Sequence, residues 1–139
     1  MSTTPKPAAL STPATVPYWE AAAGGQLLIQ HCRSCGHLQL YPRTLCAACW
    51  SPDLDFREAK GTGTVWTHSV IHQPGHTAWL AEVPFVLAIV ELDEGPRLMT
   101  NIVDVDPDDV HVGQRVRVQS HQASTPAIPR VLFVPVGET

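Results

Sequence analysis

The four cysteines of this chain form two Cys-x2-Cys pairs, Cys32/Cys35 and Cys46/Cys49, with ten residues between the pairs. Two intervening residues let a tight turn aim both sulfurs of a pair at one point, and Gly36 permits a close backbone approach there. Two such knuckles supply four thiolates in a tetrahedron, the donor set of structural zinc sites. Because protein ligands then fill every position on the metal, none is left to activate water. The pattern therefore predicts one structural zinc ion per chain.

Two other uses of these cysteines explain the pattern less well. A rubredoxin-like iron centre uses similar knuckles, whereas a thiol redox pair needs one Cys-x2-Cys and leaves the second without a role. A ribbon of about 30 residues is also too small to build its own core, because domains below roughly 40 residues usually need a metal or disulfides.

We find no signal peptide or apolar run of membrane-spanning length, so we expect a cytoplasmic protein whose thiols stay reduced.

The composition is that of a globular protein of about one domain. The chain has 139 residues, of which 44% are apolar and 16% charged, and its net charge is -4 from 9 basic and 13 acidic side chains. A negative balance argues against binding to phosphate backbones, which requires a basic surface. Residues 1–16 are rich in Thr, Ser, Ala and Pro, and this composition predicts a disordered tail.

The remaining chain divides into a helix and ribbon, residues 17–57, and a β-rich domain, residues 58–139. Pro17 and the glycine pair that follows Ala23 predict a short helix between them. Five later segments have the composition or alternation of strands. Their bounds are Val65–His72, Val83–Leu92, Leu98–Val105, Val112–Val118 and Val131–Val136. Five strands in about 80 residues predict a mainly β protein with a five-stranded OB-fold barrel, and a small sandwich is the competing architecture.

The first two strands carry more specific expectations. In the first strand, strict alternation places Val65 and Thr67 on one face, and Trp66 and His68 then fall on the other. The second strand is a continuous apolar run, which is typical of a strand buried on both faces. Gly95 follows this run and can adopt the positive φ of a hairpin turn.

No set of side chains in this sequence predicts a catalytic site. His68, His72 and His76 recur every four residues, but this spacing aligns side chains only on a helix, and the segment is predicted to be strand and loop. The acidic run from Asp104 to Asp109 lacks the glycine and glutamate of a calcium-binding loop. Nucleophile-elbow, phosphate-loop and dinucleotide motifs are absent, and all four cysteines are assigned to metal. We therefore predict no catalytic residue.

Several short motifs occur in a specific order along the chain. An aromatic helix is followed by Gly25-Gln26-Leu27, Gln30–Gly36, Tyr41-Pro42-Arg43, Gly61–Val65, Val83-Pro84-Phe85, Val90–Gly95 and Val112–Val116. Over residues 17–136 this order resembles the acyl-CoA-associated OB-fold proteins with an N-terminal rubredoxin-like zinc ribbon, also called domain-of-unknown-function thirty-five. One departure is Trp50, where the family commonly has glycine or asparagine.

The resemblance implies an accessory subunit in a hetero-oligomer. Members of this family are commonly partners of thiolase-superfamily proteins, including thiolases and the retro-aldolases of steroid side-chain breakdown, or are joined to enoyl-CoA hydratases. The catalytic residues then lie mainly on the partner, the ribbon and helix dock on it, and the barrel helps to enclose the acyl-CoA.

Two sets of residues in this chain are compatible with that role. Guanidinium groups suit the phosphates of CoA, and four arginines lie in or near predicted strands: Arg97, Arg115, Arg117 and Arg130. Large aromatic rings are enriched at binding hot spots, and the candidates for partner contacts are Tyr18, Trp19, Tyr41, Trp50 and Trp79. The alternative hypothesis is an OB module that binds single-stranded nucleic acid, which needs a basic groove with stacking aromatics. The net negative charge disfavours this alternative.

Overall fold

A computed structural model describes residues 11–119 and 131–136 of the chain. Helix α1 spans Val16–Ala23, one residue longer than predicted, and its buried face carries Tyr18 and Ala22. The predicted tail is too long at its C-terminal end, because the Thr12 carbonyl accepts hydrogen bonds from the N–H groups of Thr15 and Val16 in a turn that leads into α1. Residues 1–10 lie outside the described residues. No helix in the described part of the chain is long and apolar enough to cross a bilayer.

The ribbon is a three-stranded antiparallel sheet in the order β2-β1-β3. Its strands are β1 (Leu28–Cys32), β2 (Leu38–Gln39) and β3 (Leu54–Glu58). The first cysteine pair begins at the last residue of β1, which pairs with Leu54 in β3. The sheet therefore fixes where the first knuckle starts.

The β-rich domain is a closed five-stranded barrel, as the sequence predicts for an OB-fold, and the sandwich alternative is wrong. The barrel order is β4-β5-β6-β8-β7, and only the β6–β8 pair is parallel. The strands are β4 (Thr62–Ile71), β5 (Phe85–Leu92), β6 (Arg97–Ile102), β7 (Arg115–Val118) and β8 (Leu132–Pro135). Two short 3-10 helices, Thr77–Glu82 and Pro107–Asp109, lie in the connections.

A β-bulge at Trp66 overturns the strict alternation predicted for the first barrel strand. Val65 pairs with Val90 and Thr67 with the adjacent Ile89, so Trp66 is an extra residue in β4. An extra residue changes which face each later side chain occupies. Thr67, expected on the same face as the buried Val65, is exposed instead.

Strand β5 is fully buried on one face only, which corrects the expectation of burial on both. Its inward side chains, Val86, Ala88, Val90 and Leu92, are buried, whereas Phe85, Leu87, Ile89 and Glu91 alternate with them and are half-buried. One set of the apolar side chains in this run therefore lines the barrel interior, and the other set lies on the partly covered outer face of the strand.

The ribbon and the barrel share one hydrophobic core. Tyr18 of α1 and Ile29 of β1 belong to the same buried cluster as Leu98 and Phe133 of the barrel. A hydrogen-bonded link adds to this contact, because the Tyr41 hydroxyl accepts from the Met99 N–H at 3.0 Å and donates to the Met99 carbonyl at 3.2 Å. Met99 lies two residues before Asn101, where the described pairing between β6 and β8 begins. The two parts therefore have a defined relative position.

The turn between β5 and β6 is tied to strands β4 and β7 by Asp93. Its carboxylate accepts two hydrogen bonds from the Arg115 guanidinium, at 2.7 and 2.9 Å, and a third from the Thr62 hydroxyl. These contacts, first those of Arg115 and then that of Thr62, hold the pKa of Asp93 well below its usual range. Gly95, with φ of 116°, completes the turn as predicted.

We expect Asp93→Asn to lower the free energy of unfolding by about 1 kcal/mol at pH 7, because an exposed ion pair contributes at most about that much. A depressed carboxyl pKa stabilises the fold above the ordinary Asp value of about 4, and this contribution is lost as the pH falls below it. The difference from wild type in urea unfolding, followed by tryptophan fluorescence, should therefore shrink between about pH 4 and pH 2. Comparison at each pH cancels acid effects common to both proteins. Asp109→Asn is the control, and an equal loss in this variant would contradict the prediction.

Candidate metal centre

The four cysteine sulfurs converge at one end of the ribbon sheet. All four lie within 4.8 Å of one another, and none is in a disulfide. The shortest distances between the two pairs are 3.5 Å, from Cys32 Sγ to Cys49 Sγ, and 3.7 Å, from Cys35 Sγ to Cys46 Sγ. Zinc bonded to four sulfurs at about 2.3 Å requires neighbouring sulfurs about 3.8 Å apart. The cysteines thus fit one tetrahedral zinc ion, as the spacing predicts.

Both knuckles use the same backbone pattern. In each, the first cysteine carbonyl accepts from the N–H four residues later: Gly36 N to Cys32 O at 2.8 Å, and Trp50 N to Cys46 O at 2.9 Å. Backbone N–H groups also point at the sulfurs, with Ala48 N 3.3 Å from Cys46 Sγ. Such donors stabilise thiolates, the form of cysteine that binds metal.

Ionisation of the four thiols is strongly interdependent. Burial opposes the ionisation of Cys32, but N–H donors from Cys35 and Ser34 and the neighbouring Cys49 thiol lower the pKa of Cys32 to about 6. At Cys49 the Ser51 N–H lowers the pKa, yet burial and the other three cysteines outweigh it and raise the pKa of Cys49 well above its usual range. Some of the four thiols therefore ionise readily. The others resist ionisation, because the negative charges of neighbouring thiolates repel one another. A divalent cation removes this conflict.

Trp50 occupies the position in the second knuckle that Gly36 occupies in the first. Both residues have left-handed backbone conformations, with φ of 82° at Gly36 and 67° at Trp50. This conformation costs a residue with a side chain about 1–2 kcal/mol, whereas glycine adopts it freely. The Trp50 side chain is 76% exposed, so burial of its ring within the chain does not offset this cost.

Two buried glutamines hold the loop that leads into the second knuckle. Gln30 in β1 pairs with Gln39 in β2, and Gln39 Nε2 donates to Gln30 Oε1 at 2.7 Å. Gln30 also bonds the N–H and carbonyl of Arg43, at 2.9 and 2.8 Å. Gln39 Oε1 accepts from Ala47 N at 2.8 Å, and Gln39 Nε2 donates to Leu45 O at 3.3 Å. The two amides thus fix the backbone on both sides of Cys46, the first ligand of the second metal-binding pair.

Sequence analysis did not identify these glutamines as functional. Their only local signal is polar character on short strands, and the pairing of positions 30 and 39 becomes visible only with the sheet register. The amide network also depends on the path of the loop from Arg43 to Ala47, which no local motif specifies.

A carboxylate lies beside the first knuckle and gathers nearby cations. Asp55 in β3 accepts from His31 Nδ1 at 3.0 Å and Arg33 Nε at 3.2 Å, and Arg57 Nε lies 3.7 Å away. Burial raises the pKa of Asp55, but the hydrogen bonds from His31 and Arg33 outweigh it and lower the pKa. The four cysteines are the one group of at least three Cys, His, Asp or Glu side chains able to hold a metal within residues 11–119 and 131–136.

Of the four predicted CoA-binding arginines, the three that the structure describes lie on the barrel in different surroundings. Arg115 is engaged by both oxygens of Asp93. Arg97 donates to Glu91 at 3.0 Å and stacks over the Trp66 ring at 3.7 Å. Arg117 is exposed on β7, and Arg130 lies outside the described residues. A phosphate at Arg115 would compete with the Asp93 carboxylate for both of its hydrogen bonds, and CoA binding by these arginines stays a prediction.

The five predicted interface aromatics also differ in their surroundings. Tyr18 is only 2% exposed and makes edge-to-face contacts with Trp19 at 4.9 Å and Tyr41 at 6.0 Å, so it is a core residue rather than a surface anchor. Trp19 is half-buried, and so is Trp79, which lies 5.8 Å from the His76 ring. Tyr41 and Trp50 are exposed. Burial raises the pKa of Tyr18 above its usual range, which is consistent with a core position.

We expect metal analysis to return one zinc per chain, and Gln39→Leu to speed zinc loss. The substitution leaves the Ala47 N–H and the Leu45 carbonyl without their side-chain partner, and unsatisfied buried groups cost about 1–3 kcal/mol each. Zinc release to a chromogenic chelator should therefore be about tenfold faster, since about 1.4 kcal/mol corresponds to tenfold. Gln26→Leu changes an exposed glutamine and should release zinc at the wild-type rate. Equal rates in all three proteins would show that the amides do not support the knuckle.

Comparisons with known proteins follow the two structural parts. Residues 19–55 match the family described as the rubredoxin-like zinc ribbon domain of ChsH2, and residues 56–121 match the C-terminal OB-fold domain of ChsH2. Together these matches cover the C-terminal part of α1, the ribbon and four of the five barrel strands.

Curated relatives include two kinds of protein. A probable enoyl-CoA hydratase alpha subunit from Thermomonospora curvata is 44% identical over 99 residues, which is 71% of this chain and 30% of that protein. A DUF35 domain-containing scaffold protein from Methanocaldococcus jannaschii is 38% identical over 87 residues, or 61% of this chain and 60% of that protein. The chain therefore matches less than two thirds of the length of either relative.

Solved structures agree with this assignment. A chain titled Ltp2-ChsH2(DUF35) aldolase superposes with a TM-score of 0.80 at 38% identity, over 90% of this chain and 96% of that one. A DUF35 protein of unknown function from Sulfolobus solfataricus shares the fold, with a TM-score of 0.64 at 16% identity over 89% of this chain and 86% of that one. The chain belongs to the DUF35 family of ChsH2-type proteins, in which a rubredoxin-like zinc ribbon precedes an OB-fold barrel.

Proposed function

We propose that this chain is a non-catalytic subunit that binds a thiolase-superfamily partner, of the thiolase or steroid side-chain retro-aldolase type, and helps to hold its acyl-CoA substrate. The observation that carries the proposal is the 38% identity, over 96% of its length, to a chain from a structure titled Ltp2-ChsH2(DUF35) aldolase. Relatives named as alpha subunits of a probable enoyl-CoA hydratase and of 3-oxo-4,17-pregnadiene-20-carboxyl-CoA hydratase support the acyl-CoA substrate class.

The chemistry of the described residues supports a role without catalysis. The metal centre has four protein sulfurs, so zinc there lacks the open position that water activation or carbonyl polarisation requires. Among the described hydrogen bonds, none joins a serine or threonine hydroxyl to a histidine ring, the pairing that activates such a nucleophile. The reacting groups are therefore expected on the partner.

The tip of the second knuckle is the surface best suited to the partner. Trp50 and Leu45 are exposed there beside a hollow of about 290 Å³, which is also lined by Arg43, Thr44 and Ala47. Tryptophan is enriched at binding hot spots, and an exposed ring loses apolar surface to water when a partner covers it. Strained backbone persists where the surrounding structure enforces it and often marks a functional site. Trp50 meets both conditions, so we assign it as a partner anchor.

The alternative of a nucleic-acid-binding module has weak support. Trp66 and Arg97 form an exposed stacked pair on the barrel, a feature that single-stranded nucleic acids use. However, Arg33, Arg97 and Arg115 are each paired with a carboxylate, and the chain carries a net charge of -4. The described residues therefore lack the unpaired basic track that such binding needs.

Affinity isolation of the tagged chain from its native host, followed by mass spectrometry, tests the proposed function. We expect a thiolase-like subunit in stoichiometric amount, because a docking subunit should remain bound to its partner through purification. Isolation of the chain alone as a stable monomer would contradict the proposal. Tight, salt-sensitive binding of a labelled oligonucleotide would instead favour the alternative.

We expect Trp50→Gly to separate stability from partner binding. Glycine relieves the left-handed strain, so the isolated chain should gain about 1 kcal/mol in the free energy of unfolding. The same change removes the exposed ring, so affinity for the isolated partner should fall at least tenfold, as for a hot-spot residue of about 2 kcal/mol or more. Calorimetry with the purified partner and chemical unfolding of the chain measure the two effects. Val112→Ala, which trims another exposed apolar side chain, should change neither; unchanged affinity in Trp50→Gly would remove Trp50 from the interface.

A further inference from the structure

We propose that the groove between the ribbon and the β5–β6 turn binds the phosphorylated nucleotide end of CoA. This inference rests on the proposed function and adds to it the binding site and the residues that bind. The groove has a volume of about 350 Å³ and is formed by both structural parts. The residues that line the groove come from the ribbon and from the turn that follows β5. They are His37, Leu38, Gln39, Leu40, Arg43 and Ala47 of the ribbon, and Gly95, Pro96 and Arg97 of the barrel.

The lining is positively charged although the chain as a whole is negative. It contains the guanidinium groups of Arg43 and Arg97 and the His37 ring, and no carboxylate. Arg43 has no side-chain hydrogen bond or ion pair with any described residue. Arg97 uses Nε to bind Glu91 and leaves its two terminal nitrogens without a described partner. Guanidinium forks of this kind bind phosphate oxygens with paired hydrogen bonds.

The backbone of Arg43 and the guanidinium of Arg97 are held in place without a ligand. The backbone of Arg43 is fixed by the buried amide of Gln30, through hydrogen bonds of 2.8 and 2.9 Å. The guanidinium of Arg97 is held between the Trp66 ring, 3.7 Å away, and Glu91, at 3.0 Å. A guanidinium that is already ordered loses less conformational freedom on binding, so the contact between Arg97 and an anion is made at lower cost.

The remaining lining and the location of the groove indicate a nucleotide rather than a free phosphate. Leu38, Leu40, Ala47 and Pro96 supply apolar surface beside the cations, as an adenine ring requires, and the volume is within the range of small-ligand sites. The hollow beside Trp50 shares Arg43 and Ala47 with this groove. A CoA bound by its nucleotide here therefore lies next to the surface assigned to the partner, toward which its thioester arm can extend.

This site changes the set of arginines expected to bind CoA. Of the four arginines predicted from the sequence, the site includes Arg97. It adds Arg43, which belongs to the motif Tyr41-Pro42-Arg43 but was not predicted to bind CoA. It omits Arg115, whose guanidinium is paired with Asp93, and Arg117, which does not line the groove.

Isothermal titration of CoA into the full, zinc-loaded chain tests the site. We expect saturable binding of one CoA per chain, displaced by adenosine 3′,5′-bisphosphate and not by adenosine. Inorganic phosphate at the same concentration should compete weakly, and competition equal to that of the bisphosphate would reduce the site to a simple anion site and overturn the nucleotide assignment. Arg43→Gln and Arg97→Gln should each raise the Kd for CoA about tenfold, since each removes a charge-assisted contact.

Arg57→Gln is the matched control, because Arg57 is an exposed ribbon arginine that does not line the groove. Its Kd should stay within about twofold of wild type, and zinc content should be unchanged in all three variants. An equal loss of affinity in the control, wild-type affinity in both groove variants, or no saturable CoA binding would overturn the site. Affinity isolation with the unmodified chain distinguishes the two proposals: a retained partner, together with no saturable CoA binding by the chain, rejects the groove and leaves the subunit role intact.

Discussion

The repulsion among four clustered thiolates is the constraint on which the ribbon depends. Four sulfurs within 4.8 Å of one another can all ionise only around a cation, and the short strands β1–β3 offer little apolar surface of their own. The metal therefore joins two knuckles that are distant in sequence and orders the loop between them. The positions of Arg43 and Trp50 follow from that loop, so both the nucleotide groove and the assigned partner surface depend indirectly on the metal.

The barrel gives this small ribbon a defined orientation. A core shared through Tyr18 and Ile29, and the bonds of the Tyr41 hydroxyl to the Met99 backbone, keep the ribbon against the β6 side of the barrel. Without that contact, the proposed groove has no second wall, because Gly95, Pro96 and Arg97 come from the barrel. The two-part architecture is thus a requirement of the proposed binding site.

Features that depend on local spacing could be predicted from the sequence, and features that depend on distant pairing could not. The metal ligands, the glycine turn at Gly95 and the barrel with five strands follow from spacing and periodicity over a few residues. The bulge at Trp66 is invisible locally, because one added residue keeps the composition of a strand and changes only its register. The ion pair of Arg115 could not be predicted for a related reason: its carboxylate partner, Asp93, is 22 residues away, and only barrel closure brings the two together.

The paired amides of Gln30 and Gln39 have an evolutionary consequence. Each amide bonds the other amide and the loop backbone in one network, so replacement of either residue alone breaks the bond between them and leaves its buried loop partners unpaired. A change at one position is then tolerated only with a compensating change at the other or in the loop backbone. We therefore expect these two positions to vary together among homologous proteins, which makes them a marker of how the second knuckle is supported in each lineage.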